Sequence, residues 1–117
     1  MEHFTQSELP DIHEVEIRLM GRWGKTVRVN GEQARLIAEL WKRLPPGNEK
    51  RCHLPAHELR FLAANRLICT TTVCWKCNNV RGTAGGRWIS FEFDGQAELS
   101  QQLLAKIQQL NPGPLEI

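Results

Sequence analysis

Val15, Ile17 and Leu19 alternate with Glu14, Glu16 and Arg18, the period of two expected of a strand with one face in water. This predicts a first strand over about 12–20. Gly21 and Gly24 flank a turn, after which Trp23, Lys25, Val27 and Val29 share one face and Thr26, Arg28 and Asn30 the other. A hairpin follows from that pattern. The period then changes: Ile37, Leu40, Trp41 and Leu44 recur at helical spacing behind Asn30, which is placed to cap, with Glu32 in the first turn. Lys42 and Arg43 suit the C-terminal dipole, and Pro45, Pro46 and Gly47 stop the helix.

The segment 51–63 carries His57, Leu59 and Phe61 in one phase, with Pro55 marking its start as an edge, bulge or loop. Asn65 marks a turn. Residues 66–75, rich in β-branched and apolar types, predict a central strand. Asn78 to Gly86 are turn-formers and are expected to form a loop. Ile89, Phe91 and Phe93 alternate with Trp88, Ser90 and Glu92 as the last strand, and Asp94 is placed to cap a closing helix striped by Leu99, Leu103, Ile107 and Leu110. Asn111, Pro112 and Gly113 end it. The order β-β-α-β-β-β-α predicts an α+β fold, a mostly antiparallel sheet of about five strands with two helices packed on one face.

With 117 residues, 41% of them apolar, the chain has room for a single domain, with 1–10 and 112–117 expected as flexible tails. The polar, acidic start lacks the charged and apolar regions of a secretory signal, and no apolar run is long enough to span a bilayer. A cytoplasmic location without membrane contact is expected. In that compartment four cysteines point to metal ligands, redox thiols or core groups rather than a disulfide framework.

Charge is unevenly spread. Nine Lys and Arg face two Glu between residues 42 and 88, whereas both flanks are acidic. Arg51, Arg60, Arg66, Lys76, Arg81 and Arg87 would form a basic central face for an acidic protein or nucleic acid; a plain solvated sheet face is the favoured reading, because nucleic-acid modules usually carry a stronger overall basic excess.

Cys74-Trp75-Lys76-Cys77 is a Cys-x-x-Cys pair, which on a tight turn grips one metal ion or forms one disulfide. Its second half would come from Cys52-His53-Leu54-Pro55-Ala56-His57, brought to the same sheet end if 51–63 pairs with 66–75 around Asn65. Cys52, Cys74 and Cys77 with His53 or His57 would make a Cys₃His set suited to zinc. Two other readings stay open. Lys76 or a nearby histidine would activate a redox pair Cys74/Cys77, although no helix begins at the first cysteine, or the thiols pack as small hydrophobes. Cys69 is expected in the core, and His3 and His13 at the surface. The tryptophans are expected to pack, with Trp75, set inside the cysteine pair, the exception. No phosphate-binding glycine loop, nucleophilic triad or carboxylate pair stands out, so a binding or structural module is favoured over an enzyme.

At Cys52-His53-Leu54-Pro55, Leu59-Arg60-Phe61 and Cys74-Trp75-Lys76-Cys77-Asn78-Asn79 the sequence resembles a group of small uncharacterised bacterial proteins with a Cys-His-x-Pro, strand, Cys-Trp-x-Cys-Asn pattern, over about residues 52 to 94. The resemblance implies that Cys52, His53, Cys74 and Cys77 form one unit; it brings no activity with it. Related sequences place a histidine where His57 stands, which leaves the fourth member undecided.

Overall fold

The computed structural model describes residues 2–21 and 24–112. Six strands form one antiparallel sheet in the order β2-β1-β3-β4-β5-β6: β1 (Glu14–Leu19), β2 (Thr26–Asn30), β3 (His57–Ala63), β4 (Arg66–Cys74), β5 (Asn79–Ala84) and β6 (Arg87–Glu92). Helices α1 (Gly31–Lys42) and α2 (Glu98–Leu110) pack against each other on one face of this α+β fold. Trp23, expected on the second strand, and residues 113–117 of the expected C-terminal tail lie outside the described residues.

The strand beyond the expected five is β5, which occupies the segment expected to be a loop. Asn78 takes a positive φ of 55°, and Gly85 and Gly86 take 54° and 81°, so two tight turns bound Asn79–Ala84 and force it to run antiparallel to both neighbours. Its glycine is needed for pairing: a Cβ on Gly82 would fall on the carbonyl oxygen of Thr70 on β4. Composition suggested a turn; the backbone uses the same residues to bring two strands close.

Alternation decides what each face does. Val15, Ile17, Leu59, Phe61, Val73, Val80 and Ile89 are buried under the helices, and Ala34, Ile37, Trp41, Leu103 and Ile107 close the core from the helical side. Trp41 is its centre, with Phe61 and Phe91 at 5.4 and 5.3 Å between ring centroids. Cys69 is buried as expected, and burial pushes its thiol up to about 12. The opposite face is open. On β2, β1 and β3 it carries an ion-pair row in which Glu16 binds both Arg28 and Arg60, and on β4, β5 and β6 it carries Thr70, Thr72, Arg81, Thr83, Trp88 and Ser90.

The N-terminal segment, expected as a tail, is packed. Phe4, Leu9 and Ile12 are buried, and Trp88 exchanges backbone hydrogen bonds with Glu2 and Phe4, which covers part of the β6 edge. Gln6 Nε2 donates to the carbonyls of Trp41, Lys42 and Leu44, which fastens the N-terminal segment to the C-terminal end of α1. At α2 the capping residue is Ala97, three positions later than the expected Asp94. Asp94 instead closes a turn: its Oδ1 accepts from the Gln96 N–H and its carbonyl from the Ala97 N–H and Ser100 Oγ.

Candidate functional site

Residues 48–56 have no regular structure and cross the end of the open face where β4 turns into β5. This loop brings Cys52 to Cys77, 25 positions away, with Cα atoms 5.9 Å apart and the two sulfurs joined as a disulfide. The bonded pair therefore differs from the Cys74/Cys77 pair of the redox alternative. Cys74 stays a free thiol beneath the loop, and its Sγ accepts from the backbone N–H of Cys77 at 3.2 Å and of Leu54 at 3.4 Å. Cys52, remote in sequence, is thus brought to the corner that holds Cys74 and Cys77. Their exposure is unequal: Cys52 is exposed, whereas Cys74 and Cys77 are 0% and 1% exposed.

The two candidate histidines lie on opposite faces of the sheet. His57 is in phase with Leu59 and Phe61, stands opposite Val73, and is buried on the helix side. Its Nδ1 accepts from Trp75 Nε1 at 3.1 Å, burial lowers its pKa, and Trp75 rests edge-on against Phe93. Cys74 is one residue out of that phase and faces the loop. His53, carried on the loop, is the histidine on the thiol side.

His53 makes two short contacts, Nδ1 to Asn79 Oδ1 and Nε2 to Thr72 Oγ1, both at 2.7 Å. The amide of Asn79 decides the tautomer. Its Nδ2 donates to the carbonyls of Cys52 at 2.6 Å and Lys50 at 3.3 Å, so its Oδ1 is the atom left facing the ring. An oxygen with only lone pairs requires the proton on Nδ1, and the neutral ring then presents a bare Nε2 to the Thr72 hydroxyl. Thr72 Oγ1 also donates to the Arg81 carbonyl, at 3.2 Å, so its single proton has two acceptors within reach, the carbonyl and the imidazole.

On its open side Thr72 lines a groove of about 510 Å³ shared with Thr70, Arg81, Thr83, Trp88 and Ser90. Trp88 is half exposed along it. Arg81 is held by Glu92 at 3.0 Å and by the Val80 carbonyl.

Among the described residues no group of three or more His, Cys, Asp or Glu is arranged to hold a metal ion. A zinc site built on Cys52, Cys74 and Cys77 would first need the disulfide reduced and then a fourth donor, because both histidines are engaged elsewhere. The basic residues do not form one face either. Arg60, Arg81 and Arg87 are paired with Glu16, Glu92 and Glu8, and Arg66 opens β4 whereas Lys76 follows its other end, about 26 Å away at ~3.3 Å per residue. Lys50, Arg51 and Lys76 remain as a smaller exposed group beside the disulfide in sequence.

No protein-family model matches the chain, and comparison with curated proteins and with solved structures finds no match. No helix among the described residues is long and apolar enough to cross a membrane.

The sequence groups Cys52, Cys74 and Cys77 with His53 or His57 and gives no mark to Asn79 or Thr72. Asn79 reads there as one of the turn-formers and Thr72 as part of the β-branched run. A polar residue at a position forced into a strand between two turns was the available signal for Asn79, since a fully buried amide must find partners.

Proposed function

We propose that the chain is a thiol–disulfide module in which Cys52–Cys77 is the reversible bond and Cys74 a third sulfur held behind it. The observation that carries this reading is the asymmetry of the bond, exposed at Cys52 and buried at Cys77. An incoming thiolate therefore attacks the Cys52 sulfur. A mixed disulfide forms there, the Cys52–Cys77 bond breaks, and Cys77 leaves as thiolate and takes up a proton. A second thiol displaces Cys52 in turn, so two external thiols become one disulfide and the protein gains two thiols.

Lys50, Arg51 and Lys76 favour an anionic low-molecular-weight thiol as the reductant, because clustered cations raise its local concentration. Cys74 adds an internal route. Its thiolate attacks Cys77, forming Cys74–Cys77 and releasing Cys52 as thiolate with no external reagent. Negative charge on Cys74 Sγ meets two backbone N–H donors already in place.

The test is a thiol count by alkylation and mass spectrometry on protein denatured without reductant. Two alkylated cysteines, Cys69 and Cys74, rising to four after reduction, with reversible titration against an anionic thiol couple, are the expected results. Four free thiols together with one equivalent of zinc per chain would replace this reading with the metal-binding one.

A further inference from the structure

Thr72, His53 and Asn79 stand in the order hydroxyl, imidazole, orienting amide, and we infer that this is an acyl-transfer site in which Thr72 is the nucleophile and His53 its general base. The inference is independent of the redox reading. It rests on the two contacts of 2.7 Å, on the tautomer favoured by the Asn79 amide, and on a groove that Thr72 helps to line. A hydroxyl is a weak nucleophile until a base at hydrogen-bond distance takes its proton, and the base is useful only if a third group holds its other nitrogen protonated. The three groups come from the loop, β4 and β5.

The substrate class follows from the groove. About 510 Å³ suits a small molecule, Trp88 offers an exposed aromatic wall, and Arg81 is neutralised by Glu92. These features select a small uncharged ester with an apolar or aromatic portion. In the first step Thr72 Oγ1 bonds to the acyl carbon, its proton passes to His53 Nε2, and the carbonyl electron pair moves to oxygen. That pair returns to expel the alkoxide, which takes the proton from Nε2 and departs as alcohol. Water, activated by the same nitrogen, then cleaves the acyl–Thr72 ester to acid and free hydroxyl. Asn79 acts as a positioning residue through His53.

The experiment uses the full chain with p-nitrophenyl butyrate, reading nitrophenolate release and mapping the acyl group by peptide mass spectrometry. One acyl group on Thr72 is expected, lost in Thr72→Val and kept in Thr72→Ser, with a fall of roughly 100-fold or more in rate for His53→Gln, whose amide still hydrogen-bonds but takes no proton. Absence of both acylation and catalysed nitrophenolate release in the wild-type chain, acyl groups confined to lysine or cysteine, or an unchanged rate in His53→Gln each overturns the inference. Because wild-type mapping decides first, a variant that fails to fold leaves the result standing.

Discussion

Asn79 Nδ2 donates to the carbonyl oxygen of Cys52 across 2.6 Å, which ties the loop to the sheet independently of the disulfide. The same amide serves Lys50 and His53, so one fully buried side chain satisfies two loop carbonyls and orients one imidazole. Asn79→Ala removes all three contacts and leaves those groups to find water. A loss of about 2–4 kcal/mol in urea unfolding is expected, from several buried hydrogen bonds at ~1 kcal/mol each plus the desolvation left behind. A change under about 0.5 kcal/mol would show that the loop does not depend on this amide.

The disulfide closes a loop of 25 residues in sequence, and restricting the unfolded chain over that length is worth about 3 kcal/mol. Cys52→Ser and Cys77→Ser should each lower Tm by roughly 10 °C or more, whereas Cys74→Ser, which leaves the bond intact, should cost much less. Calorimetry with and without reductant checks this: reductant should lower the wild-type Tm and leave both single variants unmoved. Equal losses in all three variants would mean that the sulfurs act as packing atoms and not as a cross-link.

Much of the architecture was legible because its signals were periodic. Val15 and Ile17, Leu59 and Phe61, and the stripes of α1 and α2 repeat with the period of the element that buries them. The strand β5 was not, because its core-facing residues are Val80, Gly82 and Ala84, two of them too small to register as an apolar face. At the site, parity was readable. His57 sits in phase with two core residues, which already assigns it to the helix face, opposite Cys74. Thr72 was not readable, since a hydroxyl within a threonine-rich strand carries only β-propensity until a histidine 19 residues away is folded onto it.

Gly82 offers a test of the β4–β5 contact that brings Thr72 and Asn79 to the same corner. A Cβ at this position would overlap the Thr70 carbonyl oxygen, which belongs to backbone and cannot rotate away. Gly82→Ala should therefore cost about 2–4 kcal/mol despite the alanine's better intrinsic fit to regular structure, because one of the two strands must shift. Chemical denaturation measures it; a neutral or stabilising result would mean that the strands stand further apart than described here.

His57 makes stability depend on pH in a stated direction. Burial between Leu19 and Val73 lowers its pKa below the ordinary 6.5, while the unfolded chain keeps that ordinary value. As pH falls through 6.5 the unfolded state takes up a proton that the folded state refuses, so stability declines until the folded pKa is reached and is flat below it as far as this group is concerned. The proton would also fall on Nδ1, the atom that accepts from Trp75 Nε1, and turn an acceptor into a donor facing a donor. Acidification from about pH 7.5 to 5 should therefore lower the unfolding free energy and shift Trp75 fluorescence, and His57→Gln should flatten both responses relative to wild type. Identical pH profiles for the two proteins would show that the ring is not held neutral by its burial and that the Trp75 contact contributes nothing to the turn that carries Cys77.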